Sequence, residues 1–419
     1  MSGVGGLGRR TFIRAAAAGG GAVVISGASG APWANALLGP IGAKKRVYVL
    51  VIDGARPDEI GFGGYMPRLQ ELKTSGRWFP NARALPILET IPNHTMMMTG
   101  VRPDRTGVPA NEIYDPALGE VREMNRPEDL VFPTVIERLN QAGKKTGTVL
   151  SKDYLFEIFG TRATYRWEPF PLLPITNHAL DVFTMSALRT MVLTADPDMV
   201  FCNLGDIDRL GHADLTGTSL QLTRKLALAS TDAQIWSFVN WLKLLGRWKD
   251  TTLVVLADHS MDWSDLNKVV TLNGAFKGNP LLDGQFAFAD NGGADLLTYI
   301  GPASGKAASM TEARRVALET TGVLSVHLPE ELRLGPNVGD LVVFCKAGWR
   351  FSDPSLIDNP IPGNHGHPAT SPIPFFIAGG KISPAVLSAP ATTMDVAPTV
   401  GQVFGLGAPP GGYDGVSRL

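Results

Sequence analysis

The sequence predicts an α/β protein with a mostly parallel central sheet, helices on both faces and an inserted cap subdomain. Four apolar runs are typical of fully buried parallel strands, and they lie at 46–53, 147–151, 199–208 and 251–259. Stretches of helical character separate or follow them, at 67–76, 133–143, 219–245 and 392–404. Strands that alternate with helices indicate a sheet covered on both sides.

The alternation breaks between residues 266 and 362, where glycine, proline and short alternating runs dominate and one helix is expected at 311–321. We interpret 266–362 as the inserted cap subdomain. The α/β core is then assigned to 44–265 and 363–419.

Residues 1–36 have the features of a twin-arginine signal peptide. Arg9 and Arg10 open the run RRTFIR, a Gly/Ala-rich stretch follows at 15–31, and Ala-Asn-Ala at 34–36 resembles a cleavage site. We therefore expect the twin-arginine export machinery to carry the folded chain to the periplasm or the medium. A flexible tail and an uncleaved anchor are the alternatives, although the glycines disfavour a spanning helix. No other segment is long and apolar enough for a stable membrane span.

Charge and cysteine content narrow the function classes. The 38 basic and 39 acidic residues nearly cancel and form no dense Lys/Arg run, so binding of a nucleic-acid polymer is not expected. Cys202 and Cys345 both lie in apolar runs, which predicts buried strand residues; a disulfide between them is the alternative. A cysteine-based metal site is excluded.

Carboxylates stand at the ends of three apolar runs, as Asp53, Asp208 and Asp258. In open α/β sheets, ligands bind outside the carboxyl ends of the strands. Three carboxylates at one edge would be costly without a positive charge between them, so the pattern predicts a bound cation. Taken singly, each aspartate could instead form a turn or cap a helix.

Three histidines complete this pattern. His259 follows Asp258, His212 lies four residues after Asp208, and His365 lies in the loop PGNHGHP. Nitrogen and oxygen ligands of this kind suit zinc, with manganese and iron as alternatives.

Thr90 is the candidate nucleophile. It precedes a predicted helix in which Pro92 suits the first turn and Gly100 suits the exit. Free N–H groups at a helix N-terminus favour a phosphate and an alkoxide, and metal coordination would supply the remaining activation. The alternative is that Thr90 only caps the helix. His94, on the same helix, is expected to be a structural hydrogen-bonding residue.

Six segments together resemble the alkaline phosphatase superfamily, most closely its type I phosphodiesterase/nucleotide pyrophosphatase branch. They run in the family's order over most of residues 46–406: VLVIDGARPD, ETIPNHTMMMTGVRPDRTGV, DRLGH, LADHSMDW, GNHGH and TMDVAPTVGQVFGL. The resemblance implies an alkaline-phosphatase-like fold and two divalent metal ions, expected to be Zn2+.

The resemblance also assigns the ligands. One ion would be held by Asp208, His212 and His365, and the other by Asp53, Asp258, His259 and the oxygen of Thr90. Asn111 in GVPAN matches a family asparagine that donates a hydrogen bond to a phosphoryl oxygen. The implied reaction is in-line attack of Thr90 on phosphorus, followed by hydrolysis of the phosphothreonine.

At two positions, the residue of this chain differs from the one found in relatives that cleave nucleotides or phosphonates. Nucleotide-cleaving members often place an aromatic residue directly after the nucleophile, where this chain has Ile91. The segment SKDYL resembles a segment of phosphonoacetate hydrolases in which two lysines grip the substrate carboxylate. Here Lys152 stands at the first place and Tyr154 at the second, and we take Ile91, Lys152 and Tyr154 as the candidate substrate-binding residues. A surface lysine at a strand end is the alternative for Lys152.

The expected function is therefore metal-dependent hydrolysis of a small phosphate ester, most closely that of a phosphodiesterase or nucleotide pyrophosphatase. Phosphonoacetate hydrolysis and phosphomonoester hydrolysis remain alternatives within the superfamily. An exported metal- or phosphate-binding protein without catalytic activity is the alternative from another class. The C/S-x-P-x-R motif of sulfatases does not surround Thr90.

Overall fold

The computed structural model describes residues 44–61, 63–174, 176–214, 221–356, 359 and 361–419. The signal peptide expected at 1–36 lies outside these residues. Among the described helices, none has both the length and the apolar character needed to cross a membrane.

The strands of the described residues are short apart from those of the two main sheets. They are β1 (Arg46–Ile52), β2 (Arg77–Trp78), β3 (Ala82–Arg83), β4 (Glu112–Asp115), β5 (Glu120–Glu123), β6 (Thr146–Leu150), β7 (Tyr165–Trp167), β8 (Met199–Leu204), β9 (Thr251–Leu256), β10 (Asp262–Trp263), β11 (Val269–Val270), β12 (Phe286–Asn291), β13 (Ala294–Tyr299), β14 (Val323–His327), β15 (Leu341–Cys345), β16 (Arg350–Phe351), β17 (Gly363–Asn364), β18 (Phe375–Gly379), β19 (Ala385–Val386) and β20 (Ala391–Thr392).

The helices connect these strands in chain order. They are Pro67–Thr74, Thr90–Thr99, Pro103–Thr106, Val135–Gln141, Asp153–Phe159, Asp181–Thr194, Asp206–His212, Leu222–Leu244, Leu272–Phe276, Lys306–Glu319, Pro329–Leu332 and Val396–Phe404.

The central sheet has eight strands in the order β19-β2-β18-β9-β1-β8-β6-β7. The pairs of β1 with β8 and with β9 are parallel, as are β6 with β8 and with β7, whereas β18 runs antiparallel to β9 and β2. Every residue of β1 is buried, which its apolar run RVYVLVI allows only where both faces of the sheet are covered. The predicted α/β class with a mostly parallel sheet is confirmed.

The segment interpreted as a cap contains a sheet of its own. Strands β12, β13, β15 and β14 form a four-stranded antiparallel sheet whose buried residues make a separate apolar cluster with the helix Lys306–Glu319. At its base β10 pairs with β17, so Trp263 lies opposite Gly363. The residues on either side of 266–362 therefore lie side by side, and the bounds of the cap subdomain stay a prediction.

The two cysteines lie in different sheets. Cys202 is a buried residue of β8 and Cys345 a buried residue of β15, and both are free thiols. The prediction of buried strand residues describes them correctly, and the disulfide alternative is wrong for this structure.

Several element boundaries differ from the sequence prediction. The run 199–208 is a strand only to Leu204, and Asp208 lies within the helix Asp206–His212 rather than at the strand end. The helix expected at 392–404 begins at Val396, because a single 3₁₀ turn precedes it. The helix expected at 311–321 begins at Lys306. Boundaries of this kind depend on local hydrogen bonds that apolar periodicity does not report.

Arg224 joins the longest helix to the loops that follow β1 and β8. Its side chain is fully buried, and its Nε and Nη2 donate to the two carboxylate oxygens of Glu59 at 2.8 Å each. Its guanidinium also donates to the carbonyl oxygens of Gly54 and Ile207, at 2.8 and 2.9 Å. These carbonyls are next to Asp53 and Asp208 in the chain, so the contact fixes the backbone that presents both carboxylates.

We expect Arg224→Met to lower the free energy of unfolding by about 3 kcal/mol, because it leaves Glu59 and two buried carbonyls without their partner. Urea denaturation followed by circular dichroism measures the change. The double variant Arg224→Met, Glu59→Gln is the control, and it should lose less because no charge is left unpaired. A loss below about 0.5 kcal/mol for the single variant would contradict this role.

Candidate active site

The carboxyl edge of the central sheet carries the predicted carboxylates. Because β8 and β9 flank β1, the residues that follow these three strands meet at one place. Asp53, Asp208 and Asp258 are all buried there, and each has one carboxylate oxygen that accepts a hydrogen bond. The cluster therefore forms in the interior and not on an open surface.

His365 reaches the cluster from the far side of the cap insertion. Gly363, two residues earlier, packs so closely on the helix Asp206–His212 that an added Cβ would lie 2.6 Å from the Cα of His212. The carbonyl oxygen of Gly363 also lies 2.8 Å from Nδ1 of His212. This contact brings the rings of His212 and His365 to a centroid separation of 4.8 Å.

The three histidines share one orientation. Nδ1 faces a backbone carbonyl oxygen in each ring: Gly363 for His212 at 2.8 Å, Ser260 for His259 at 3.0 Å and Leu88 for His365 at 3.2 Å. A carbonyl can only accept, so Nδ1 carries a proton, and in the neutral form of each ring the lone pair is on Nε2. In all three histidines, Nε2 points towards an aspartate of the cluster.

The other oxygen of each aspartate has no hydrogen-bond donor. Asp53 Oδ1, Asp208 Oδ1 and Asp258 Oδ2 are buried without a partner among the described residues. The same oxygens face histidine Nε2 atoms, at 3.2 Å from His212 to Asp208 and 3.3 Å from His259 to Asp258. Lone pairs facing buried carboxylate oxygens repel unless a cation lies between them. The donor set therefore fits divalent metal ions.

The described residues contain two groups whose ligand atoms lie within 4.8 Å of one another. One group is Asp208, His259 and His365, and the other is Asp53, Asp258 and His259. The resemblance assigned His212 to the first group; the group found has His259 in its place, although His212 Nε2 lies 3.2 Å from Asp208 Oδ1. His259 lies between the groups, and its ring stacks on that of His365 at 3.8 Å.

The pKa values show the electrostatic conflict within the cluster. Burial raises the pKa of Asp53, and the neighbouring carboxylate of Asp258 raises it further. Burial and the neighbouring His365 lower the pKa of His259 well below its usual value. Asp53 therefore resists ionisation, and the neighbouring His259 resists protonation. Bound cations would stabilise the ionised carboxylate next to the neutral imidazole.

Thr90 is the first residue of the helix Thr90–Thr99, and Glu89 occupies the N-cap position. The alternative that Thr90 caps the helix is therefore wrong. Its Oγ1 lies 3.3 Å from His259 Nε2 and 3.3 Å from Lys152 Nζ. The helix ends at Gly100, whose φ of 74° is the left-handed conformation that glycine adopts without strain. The hydroxyl thus faces the cluster at a helix N-terminus.

Lys152 is fully buried, so the alternative of a surface lysine is wrong. Its Nζ lies 2.9 Å from Asp53 Oδ2 and 2.7 Å from Asp208 Oδ2, and it also reaches Thr90 Oγ1. Although burial lowers the pKa of Lys152, the two carboxylates raise it above its usual value. The ammonium group therefore remains charged and neutralises part of the cluster beside the nucleophile.

Glu89 is a site residue that the sequence analysis missed. Its Oε2 accepts a hydrogen bond from Nδ2 of Asn111 at 2.7 Å, and its Oε1 lies 2.9 Å from Nδ1 of His365. Asn111 Oδ1 accepts from the backbone N–H of Ile91 at 2.8 Å. Glu89 thereby orients both Asn111 and His365 next to Thr90. Its position directly before the nucleophile was the only signal in the sequence.

Asn203, inside β8, was also missed. Its Nδ2 donates to Asp53 Oδ2 at 2.7 Å and lies 3.0 Å from Nε2 of His94. Nδ1 of His94 in turn lies 2.8 Å from the carbonyl oxygen of Thr90. His94 is thus a structural hydrogen-bonding residue between the helix and the strand. An asparagine within a buried strand was the available signal, because a buried amide needs partners.

A cavity of about 560 Å³ opens over the cluster and is lined by Thr90, Asn111, Tyr154 and Arg209, among others. Ile91 is fully buried and is not one of its lining residues. The expectation that Ile91 contacts the substrate is therefore not supported, because its side chain points into the core. Tyr154 is the only aromatic side chain among the described lining residues, and it is 5% exposed.

Sequence comparison identifies related proteins. A sequence model of the family described as type I phosphodiesterase/nucleotide pyrophosphatase matches residues 47–368. Ectonucleotide pyrophosphatase/phosphodiesterase family member 1 from Homo sapiens is 25% identical over 230 residues, which are 53% of this chain and 24% of that protein. Bis(5'-adenosyl)-triphosphatase ENPP4 from Bos taurus is 21% identical over 236 residues, 55% of this chain and 50% of that protein. The chain therefore matches at most half the length of these two relatives.

Solved structures share the fold over most of the chain. Murine ectonucleotide pyrophosphatase/phosphodiesterase 5 has a TM-score of 0.72 at 18% identity, covering 87% of this chain and 96% of that one. Phosphonoacetate hydrolase from Sinorhizobium meliloti, in complex with phosphonoformate, has a TM-score of 0.66 at 20% identity, covering 86% and 95%. With the family match over residues 47–368, the chain belongs to the type I phosphodiesterase/nucleotide pyrophosphatase family.

Proposed function

We propose that this chain is a metal-dependent phosphodiesterase that acts through a phosphothreonine intermediate on Thr90. One observation carries the proposal. Three buried carboxylate oxygens without donors face histidine Nε2 atoms beside the Thr90 hydroxyl, and Thr90, Asp208, His212 and His365 line one cavity. Such a set is costly to bury for stability alone, but it is what a two-metal hydrolase requires.

The chemistry of the chain's own residues follows from their positions. Thr90 Oγ forms the bond to phosphorus and gives up its proton to solvent, and the P–O bond to the leaving group breaks, so that the departing oxygen takes up a proton from solvent and leaves as the alcohol. Lys152 Nζ, within 3.3 Å of Oγ1, favours the alkoxide by its charge. Water then cleaves the phosphothreonine, releases the phosphomonoester and regenerates the hydroxyl.

Divalent cations, when bound, would lower the pKa of the Thr90 hydroxyl and stabilise charge on the departing oxygen. Asp53, Asp208, Asp258, His212, His259 and His365 are the residues that would hold them. We propose Zn2+ for both positions, because imidazole nitrogen and carboxylate oxygen ligands suit this ion.

Phosphonoacetate hydrolysis is the second candidate function. The burial of Lys152 beside Thr90 favours it. Lys152 stands at the place of the first of the two lysines in the similar segment of phosphonoacetate hydrolases. Against it, Tyr154 stands where those enzymes have their second lysine.

The test of the proposed function offers three substrates to the purified chain: bis(p-nitrophenyl) phosphate, p-nitrophenyl phosphate and phosphonoacetate. We expect preferential turnover of the diester, and loss of turnover when a chelator removes the metal. Thr90→Ala should reduce kcat/KM by about 10³-fold or more, because the nucleophile is absent. Thr90→Ser is the matched control and should keep measurable activity.

Each of the other possible results of this test would indicate a different function. Turnover of phosphonoacetate alone would favour the second candidate, and preference for the monoester would favour a phosphomonoesterase. Failure to turn over any substrate, by protein that mass spectrometry shows to carry its metals, would favour a binding protein. Full activity of Thr90→Ala would disprove the phosphothreonine intermediate.

Glu123, on the wall of the cavity, predicts a pH effect on substrate binding. Burial, followed by the nearby Asp153 and Glu112, raises the pKa of Glu123 to about 7. The side chain is therefore neutral below this pH and becomes an anion above it. Since a phosphodiester is anionic throughout, its KM should rise as the pH passes from 6 to 8. In Glu123→Gln the rise should be smaller, and parallel KM profiles of the two proteins would refute the effect.

We also propose export through the twin-arginine route, which is supported by the run RRTFIR and the Gly/Ala-rich stretch after it. Replacement of Arg9 and Arg10 by lysine should retain the full-length chain in the cytoplasm, because twin-arginine signals are read through the arginine pair. Cell fractionation with immunoblotting measures the distribution. Unchanged export of the double variant would refute this route.

A further inference from the structure

Arg209 follows Asp208 in the chain and lines the cavity above Thr90. Its side chain is 27% exposed, and its guanidinium carbon lies 5.5 Å from the ring centroid of Tyr154. Lys152 Nζ lies 5.8 Å from the same centroid. Two cationic groups therefore flank the one aromatic ring that the described cavity residues include.

The guanidinium has no hydrogen-bond acceptor among the described residues. Nε is buried without a partner, and its nearest carboxylate oxygen is Asp208 Oδ2 at 4.0 Å, beyond hydrogen-bonding distance. Arg224 and Arg122 show the usual arrangement, in which buried or half-buried guanidinium groups donate to carboxylates at 2.7 to 2.9 Å. An unpaired buried donor is unfavourable, and a ligand that supplies an acceptor removes this cost.

Other charges on the cavity wall show where an anion could lie. Glu112, Glu123 and Asp290 are also lining residues, and in their ionised forms they would repel a second negative group of a substrate. Lys152 is already held by Asp53 and Asp208. Among the described lining residues, Arg209 is therefore the cation that remains available to an anion away from the reacting phosphorus.

We propose that Arg209 is a specificity-determining residue that binds a second anionic group of the substrate, a carboxylate or a phosphate, next to the scissile phosphodiester. The planar fork of a guanidinium matches the two oxygens of such a group. This inference rests on the proposed function, since it names the substrate class of the same site: small phosphodiesters with an anionic tail.

The alternative is that Arg209 has only a structural role, and experiment can distinguish this from anion binding. Arg209 could only stack on Tyr154 and reduce the negative charge around Asp208. In that case its replacement would lower stability or metal content and would affect all ligands equally. An anion-binding role predicts instead a loss confined to ligands that carry the second charge.

The experiment measures binding to metal-loaded Thr90→Ala protein, which does not consume the ligand. Three p-nitrophenyl phosphodiesters of equal tail length serve as probes, with propyl, 2-carboxyethyl and 2-phosphonoethyl tails. We expect at least one anionic tail to bind about tenfold more tightly than propyl, the effect of one charge-assisted hydrogen bond. The preferred tail distinguishes a carboxylate from a phosphate. Isothermal titration calorimetry gives the three dissociation constants.

Arg209→Gln in the same background should remove the preference and leave the affinity for the propyl probe within about threefold, because only the charged contact is lost. Arg209→Lys should retain part of the preference. Arg68→Gln, at an exposed arginine outside the cavity, is the matched control and should change none of the constants. Thermal unfolding and metal content of each variant reveal a structural role.

The outcomes distinguish this inference from the proposed function. Equal affinities for the three probes, absence of binding, or an unchanged preference in Arg209→Gln would each overturn the inference. If the chain with Thr90 hydrolyses the propyl diester but shows no tail preference, the phosphodiesterase assignment stands and Arg209 has no such role. If it hydrolyses none of the probes while Arg209 still gives the tail preference, the subsite stands and the proposed reaction fails.

Discussion

The arrangement of this molecule depends on the repulsion between three buried carboxylates and the histidine lone pairs that face them. Each aspartate uses one oxygen for a donor from the chain and presents the other, without a donor, to the same small volume. The ammonium group of Lys152 neutralises part of this negative charge through its contacts with Asp53 and Asp208. The remaining cost has no compensation within the described residues. A fold that maintains such a cluster must gain from what binds there, and divalent cations are the ligands that match its atoms.

The scaffold around the cluster is built to hold it in place. Neighbouring parallel strands deliver the aspartates to one edge, and Arg224 fixes the loops after two of them. Asn203 and Glu89 orient the side chains that face the cavity, and carbonyl oxygens set the tautomer of each histidine. Rigid secondary structure and a complete set of supporting hydrogen bonds reduce the reorganisation that catalysis would otherwise require.

In the proposed function, the floor of the cavity carries the reaction and its wall determines which substrate binds. Its floor includes Thr90 and three residues of the cluster, Asp208, His212 and His365. Its wall offers one largely covered aromatic ring, three acids and the unpaired guanidinium of Arg209. Such a wall has little surface on which a nucleobase could stack, and its charges favour a substrate with a defined pattern of charge. Residues of the four-stranded sheet and of the segment around β17 contribute to this wall.

The sequence by itself determined the α/β class and the strands β1, β6, β8 and β9, because buried parallel strands leave a continuous apolar signal. It also placed Thr90 at a helix start, through Pro92 and Gly100. Only the tertiary structure decided that Lys152 is buried between two aspartates, that Ile91 points into the core, and that Glu89, Asn203 and Arg209 belong to the site. The physical reason is that these roles depend on contacts between segments distant in sequence, whereas local periodicity reports only which face of an element is buried.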